Sequence, residues 1–169
     1  MNGTGLPEQL PGFDDPIGML RACHEQMVAH LELLEGLLAQ PDAAVAQQVA
    51  RYFSTSAVQH HRDEEEDLFP LLNRQSMKLA ELIFLLRKQH GELDRLWDAI
   101  APALKKLPPD GLDTDTRGAI SAYCELCREH IQRENRDFLP VATSSLSHEQ
   151  LGSIGEAMAA RRGVHYSAL

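Results

Sequence analysis

Four histidines and two glutamates recur at spacings suited to holding metal ions. Glu64 follows His60 by four residues and Glu134 follows His130 by four, which on a helix stacks each pair one turn apart on one face. Each pair leads into a similar tail, Leu68-Phe69-Pro70 in one case and Phe138-Leu139-Pro140 in the other. His24 and His90 close two L-R-x-x-H segments, Leu20–His24 and Leu86–His90. The first type of motif repeats after 70 residues and the second after 66, so the chain reads as two copies of one helical hairpin related by a pseudo-two-fold. All four histidines lie on apolar stripes. Their distances from the turns place them within about one helical turn of a common level, at ~1.5 Å rise per residue. Buried ionisable groups are costly unless compensated, and two metal ions would compensate these. Four neutral imidazoles and two carboxylates supply two terminal histidines per metal and two bridging glutamates. A nitrogen and oxygen donor set without inward thiolates favours iron or manganese over a structural zinc.

The predicted ligands are therefore His24, His60, Glu64, His90, His130 and Glu134. Asp94, one turn past His90, reads equally as an extra ligand, as an acceptor fixing an imidazole N–H, or as a marginal acid reaching water. His61 and Glu65 have the same four-residue spacing one position out of step. The alignment of Pro70 with Pro140 selects His60 and Glu64 instead. A ferritin-type site would need a glutamate three residues before the histidines, where this chain has Arg21, Ala57, Arg87 and Cys127.

The elements that must position these residues are helices. Asp14-Asp15-Pro16 starts helix A, expected over about 15–39, with Ile17, Leu20, His24, Met27, Val28, Leu31, Leu34 and Leu38 on one face. Asp42 caps helix B, whose inward stripe is Ala46, Val49, Phe53, Ala57, His60 and Glu64. Ser76 opens helix C, which carries Leu79, Ile83, Leu86, His90, Leu93 and Trp97 inward and stops before Pro108-Pro109. Helix D is expected over about 114–139, meeting Pro140. Ser147-His148-Glu149-Gln150 is a capping box for a short helix E reaching about 162. The expected fold is all-α: an antiparallel up-down-up-down four-helix bundle over 14–140, an irregular segment at 1–13, and a short C-terminal fifth helix and tail over 141–169.

The sequence resembles the hemerythrin-like (HHE cation-binding) family over about residues 14–140. His24, the segment His60-His61-Arg62-Asp63-Glu64-Glu65-Glu66-Asp67-Leu68-Phe69-Pro70, His90, and His130-x3-Glu134 ending at Pro140 carry the resemblance. It implies a non-haem di-iron centre with an oxo or hydroxo bridge, held by His24, His60, Glu64, His90, His130 and Glu134. It also implies a small ligand, O2, NO or peroxide, that the centre binds or reacts with. Oxygen-carrying hemerythrins have H-x3-H on helix C and H-x4-D on helix D, whereas this chain has His90-x3-Asp94 and Glu134 followed by Asn135. Four histidines with two glutamates are more similar to the branch that includes bacterial di-iron proteins for repair of iron–sulfur clusters. That branch usually adds a cysteine-containing N-terminal segment, which residues 1–13 lack. The alternatives are an iron store or donor without turnover, and a helical interaction module whose site holds zinc or nothing.

Composition narrows the remaining classes. The chain has 169 residues, 43% hydrophobic and 24% charged, enough for one compact domain. Sixteen Lys and Arg against twenty-five Asp and Glu give a net charge of -9, which disfavours nucleic acid as a partner. The longest wholly apolar run, 82–86, is far short of the ~20 residues of a membrane span. Three cysteines do not form a disulfide framework, no signal peptide is readable, and a reducing cytoplasm is the expected location. Cys124 and Cys127 lack a second C-x2-C and read as inert thiols. The acidic run 63–67 reads as a mostly solvated face able to raise the local Fe²⁺ concentration. Helix E and any apolar flank offer a homodimer contact.

Overall fold

The structure, a computed structural model, describes residues 11–169. The irregular lead-in expected at 1–13 therefore lies outside the described residues except for Pro11, Gly12 and Phe13, which are non-helical. All regular structure among the described residues is helical. Four long arms form the bundle. Helix α1 (Pro16–Ala39) is the first. The second consists of α2 (Ala43–Ser54), α3 (Ser56–Arg62), a π-helical turn (Asp63–Leu68) and α4 (Phe69–Leu72). Helix α5 (Met77–Lys105) is the third. The fourth is α6 (Thr114–Arg133), a second π-helical turn (Glu134–Phe138) and α7 (Leu139–Ser145). Helix α8 (His148–Arg161) closes the chain. Helix α1 packs on α2 and α6, and α5 packs on the same two, so the arms form a closed ring.

The starts follow the local chemistry of the sequence. Asp15 accepts from the Gly18 N–H at 2.9 Å with Pro16 just inside the helix. Asp42, Ser76 and Asp113 each accept from backbone N–H groups of the helix they precede. Ser147 and Gln150 form the expected capping box.

Three details differ from the periodicity. The second arm breaks at Thr55, whose hydroxyl donates to the Arg51 carbonyl at 2.7 Å and competes with the helical ladder. The fourth arm does not end at Pro140 but continues to Ser145. Both glutamates of the repeated motif open a wide turn: the Phe69 N–H donates to the Glu64 carbonyl and the Leu139 N–H to the Glu134 carbonyl, each across five residues. The α-helix restarts after each wide turn, and Pro70 and Pro140 fall in its first turn. An N–H is not needed there, so the arm continues through the proline.

The core has two apolar parts. One includes Met27, Leu31, Leu34, Phe53, Leu93, Trp97, Ile120 and Tyr123, and the other Leu20, Leu68, Phe69, Ile83, Leu86, Phe138 and Met158. Along every arm the histidine or His/Glu pair falls between a residue of one part and a residue of the other: Leu20, His24, Met27 in α1, and Leu86, His90, Leu93 in α5. A polar layer thus divides the bundle interior.

Helix α8 holds the first wide turn in place. Asp63 is fully buried and receives the Arg162 guanidinium at 2.6 and 3.0 Å, as well as Arg161. Arg161 also donates to Asp67 at 2.9 Å and Glu66 at 3.0 Å. The acidic run expected to be mostly solvated, Glu64 apart, is therefore mostly engaged: Asp63 points inward beside Glu64, and Glu66 and Asp67 pair with α8. Guanidiniums at this distance in sequence cannot be paired to the run by periodicity alone. Replacing both Arg161 and Arg162 by Ala should cost about 3–5 kcal/mol in urea unfolding, because Asp63 then stays buried without a partner. Unchanged stability would show that Asp63 finds water instead.

Candidate metal centre

Six side chains converge in the polar layer, one from each of the first and third arms and two from each of the others. His24, His60, Glu64, His90, His130 and Glu134 are all buried, the two carboxylates completely. The histidines meet in two pairs. His24 Nε2 lies 3.1 Å from His60 Nε2, and His90 Nε2 lies 3.1 Å from His130 Nε2. Each carboxylate reaches both pairs. Glu64 places Oε1 3.2 Å from His60 Nε2 and Oε2 3.2 Å from His90 Nε2. Glu134 places Oε2 2.9 Å from His24 Nε2 and Oε1 3.0 Å from His130 Nε2.

These spacings fit ions. Donors about 2.1 Å from a shared ion and at about right angles around it are about 3 Å apart. The approaches of the carboxylates to the rings are ion-pair contacts rather than hydrogen bonds, and all four carboxylate oxygens are buried without a hydrogen-bond partner. An uncompensated group of this kind would be strongly destabilising. Two donor sets follow, His24/His60/Glu64/Glu134 and His90/His130/Glu64/Glu134, which share both carboxylates. The six sequence-predicted residues are thus all brought together.

The far side of the rings fixes their orientation. His24 Nδ1–H donates to Asn135 at 2.7 Å, His90 Nδ1–H to Glu65 at 2.8 Å, and His130 Nδ1–H to Gln89 at 3.0 Å. Donation from Nδ1 leaves the Nε2 lone pair directed into the centre, as a metal ligand requires. The acceptors obey the repeat: the residue after Glu64 holds the histidine of the third arm, and the residue after Glu134 holds the histidine of the first. Gln89 precedes His90 and braces His130. Its counterpart before His24 is Cys23, which lies beside His60, but His60 Nδ1 makes no hydrogen bond. Sequence reasoning missed Glu65, Asn135 and Gln89, although their adjacency to ligands within the duplicated segments was the signal.

Electrostatics ties the groups together in the absence of metal. Burial and the neighbouring Glu134 carboxylate push Glu64 up, but the charges of His60 and His90 outweigh them and hold it at about 2. Glu134 is likewise held well below the usual carboxylate range: burial opposes this, and His130 and His24 prevail. Burial alone would lower His90, yet the adjoining carboxylates of Glu64 and Glu65 raise it to about 9. His60 is raised well above its ordinary value by Glu64 against the same burial.

Other sequence candidates fall outside. Asp94 is exposed and belongs to neither donor set; the acceptor for His90 is Glu65, so Asp94 is the marginal acid of the three readings. Cys124 and Cys127 are buried free thiols that burial pushes up to about 12, so they stay protonated. His61, set aside in favour of His60, is the exception: it stacks on His90 with ring centroids 4.1 Å apart and groups with His90 and His130 as donors within reach of one another.

A closed helical bundle with shared His/Glu donor sets at its midplane defines a metal-binding protein. The chain matches the hemerythrin HHE cation binding domain over residues 15–142 and belongs to that family. It is also 30% identical over 166 residues to an uncharacterized protein of Haemophilus influenzae, covering 94% of this chain and 96% of that protein. No described helix is long and apolar enough to cross a membrane.

If His60 and His90 are ligands, metal must displace their protons, so loading at pH 7 should release protons, and affinity should rise with pH through about 9, above which His90 is neutral. The apoprotein behaves oppositely. The contribution of the raised His90 is complete below 6.5 and lost as pH rises through about 9, while that of Glu64 is complete above 4.5 and lost as pH falls through about 2. Calorimetric loading in buffers of different ionisation enthalpy, beside apoprotein melting across pH, checks both signs. Loading without proton release would contradict them.

Proposed function

We propose that the protein holds a non-haem di-iron centre that binds or reacts with a small ligand, O2, NO or peroxide. The observation that supports this most directly is the sharing of Glu64 and Glu134: each carboxylate offers one oxygen to each histidine pair. Two ions bridged by two carboxylates, each with two terminal imidazoles, have positions left for an exogenous molecule. Iron, ahead of manganese and zinc, suits imidazole and carboxylate donors with open positions. A bound iron pair supplies reversible electron donation to a small ligand, with charge shared between the two ions.

The protein's own groups do the rest. Asn135, Glu65 and Gln89 hold three rings in the donor tautomer. The apolar layers on either side, with Met27 and Leu31 on one and Leu86 and Phe69 on the other, keep bulk water from the centre. Helix α8 fixes the turn that presents Glu64. None of these groups is placed to act as nucleophile or proton donor to an organic substrate, so the reading is of small-ligand chemistry at the metals.

Elemental analysis of protein produced with ample iron should find about two irons per chain, with Glu64→Ala and Glu134→Ala each losing most of the metal while retaining helical circular dichroism. Full occupancy in either variant would sink the ligand assignment. Loaded protein titrated anaerobically with NO, and separately with O2 and peroxide, should give a distinct absorption change. Freely chelated iron with no such change would favour an iron store or donor, and zinc in place of iron would favour a structural role.

A further inference from the structure

The six side chains of the centre are not equally sealed from solvent. His24, His60 and His130 are each 1% exposed and both carboxylates 0%, whereas His90 is 5% exposed. His90 alone of the six lines an open surface cavity of about 280 Å³ between the second and third arms. Val58, His61, Glu65, Gly91 and Asp94 make up most of the remaining wall. The cavity therefore meets the centre at the one donor that is not fully covered.

Gly91 keeps this cavity open. It lies in the middle of α5, where a glycine lowers helix stability relative to every residue but proline. Packing does not require it, because a Cβ built there meets no atom within 4 Å. A side chain at this position would instead take up the space in front of His90.

The wall suits a cation better than a neutral diatomic molecule. Asp94 is exposed at the mouth, and Asp98 stands one turn further along α5. Burial, and then the neighbouring acids Asp98 and Glu65, push the Asp94 carboxyl above its ordinary value against the pull of His90. Negative charge thus gathers where an incoming cation would relieve it. Glu65 lies deeper, 2.8 Å from both the Arg87 Nε and the His90 Nδ1. Behind it, His61 Nε2 is buried with no hydrogen-bond partner, and a ring nitrogen of His61 comes within 4.8 Å of donor atoms of His90 and His130. Oxygen donors at the rim and a lone pair inside form a graded series of contacts for a divalent ion.

Resting on the metal reading above, we propose that this cavity is the port through which divalent cations reach and leave the centre, with Asp94 and Glu65 drawing the ion in and His61 passing it inward beside His90. A port acts on rates. Blocking it raises the barrier equally for entry and exit, and the equilibrium affinity stays where the final donors set it.

The test is stopped-flow mixing of the full-length apoprotein with Co²⁺, whose absorption changes on binding, followed by release of bound Co²⁺ to excess EDTA. The wild type is compared with Gly91→Leu, Asp94→Asn and Gly36→Leu. Gly36 is also a helical glycine whose Cβ would meet nothing within 4 Å, but it lies on α1 away from the cavity, so it controls for the gain in helix stability. Gly91→Leu should slow uptake and release alike, by about tenfold or more, with stoichiometry and equilibrium affinity unchanged. Asp94→Asn should slow uptake severalfold and flatten its dependence on ionic strength. Exchange in Gly91→Leu as fast as in Gly36→Leu, a weakened affinity in place of matched slowing, or unaltered uptake in Asp94→Asn would overturn the port. Fewer than two Co²⁺ per wild-type chain would instead overturn the dinuclear reading, with the rates still deciding the port, and no bound Co²⁺ at all would overturn both.

Discussion

The burial of two carboxylates opposite four imidazoles at the bundle midplane is the constraint the rest of the fold serves. Neither Glu64 nor Glu134 reaches water or makes a hydrogen bond, and each is stabilised only by what lies across the cavity. In the apoprotein the facing histidines are that partner, and they hold both carboxylates below their ordinary range despite burial. At the proposed centre the same oxygens would become ligands, so one geometry would serve both states. The two apolar layers make the exchange consequential, because in a dry interior a lost partner cannot be replaced by solvent.

The wide turns at Glu64 and Glu134 show how local backbone meets that constraint. A π-helical turn accommodates an extra residue, and each glutamate sits within the first two residues of one. The proline that follows begins a fresh helical segment, so the arm resumes and adds Leu68, Phe69, Phe138 and Leu139 to the lower core. One local device, used twice, therefore sets the position of a central carboxylate and the packing beneath it.

Much of this was legible in the residues. Caps at Asp15, Asp42, Ser76 and Ser147 mark helix starts through their own hydrogen-bonding chemistry, and the apolar stripes identify the inward faces. The six central residues could be picked out because the motif is duplicated and its copies share one level. Periodicity does not give rotation about a helix axis to better than a residue. That is why the pairing of His24 with His60 and of His90 with His130 stayed open. The break at Thr55 and the continuation past Pro140 depend on single hydrogen bonds rather than on pattern. The engagement of Asp63 by Arg161 and Arg162 joins residues almost a hundred positions apart, which no local signal encodes.

That last contact also orders events in time. On the ribosome the four arms emerge before α8, so Asp63 reaches the exit without either guanidinium. The turn carrying Glu64 is therefore the part of the second arm whose side-chain support arrives latest in synthesis.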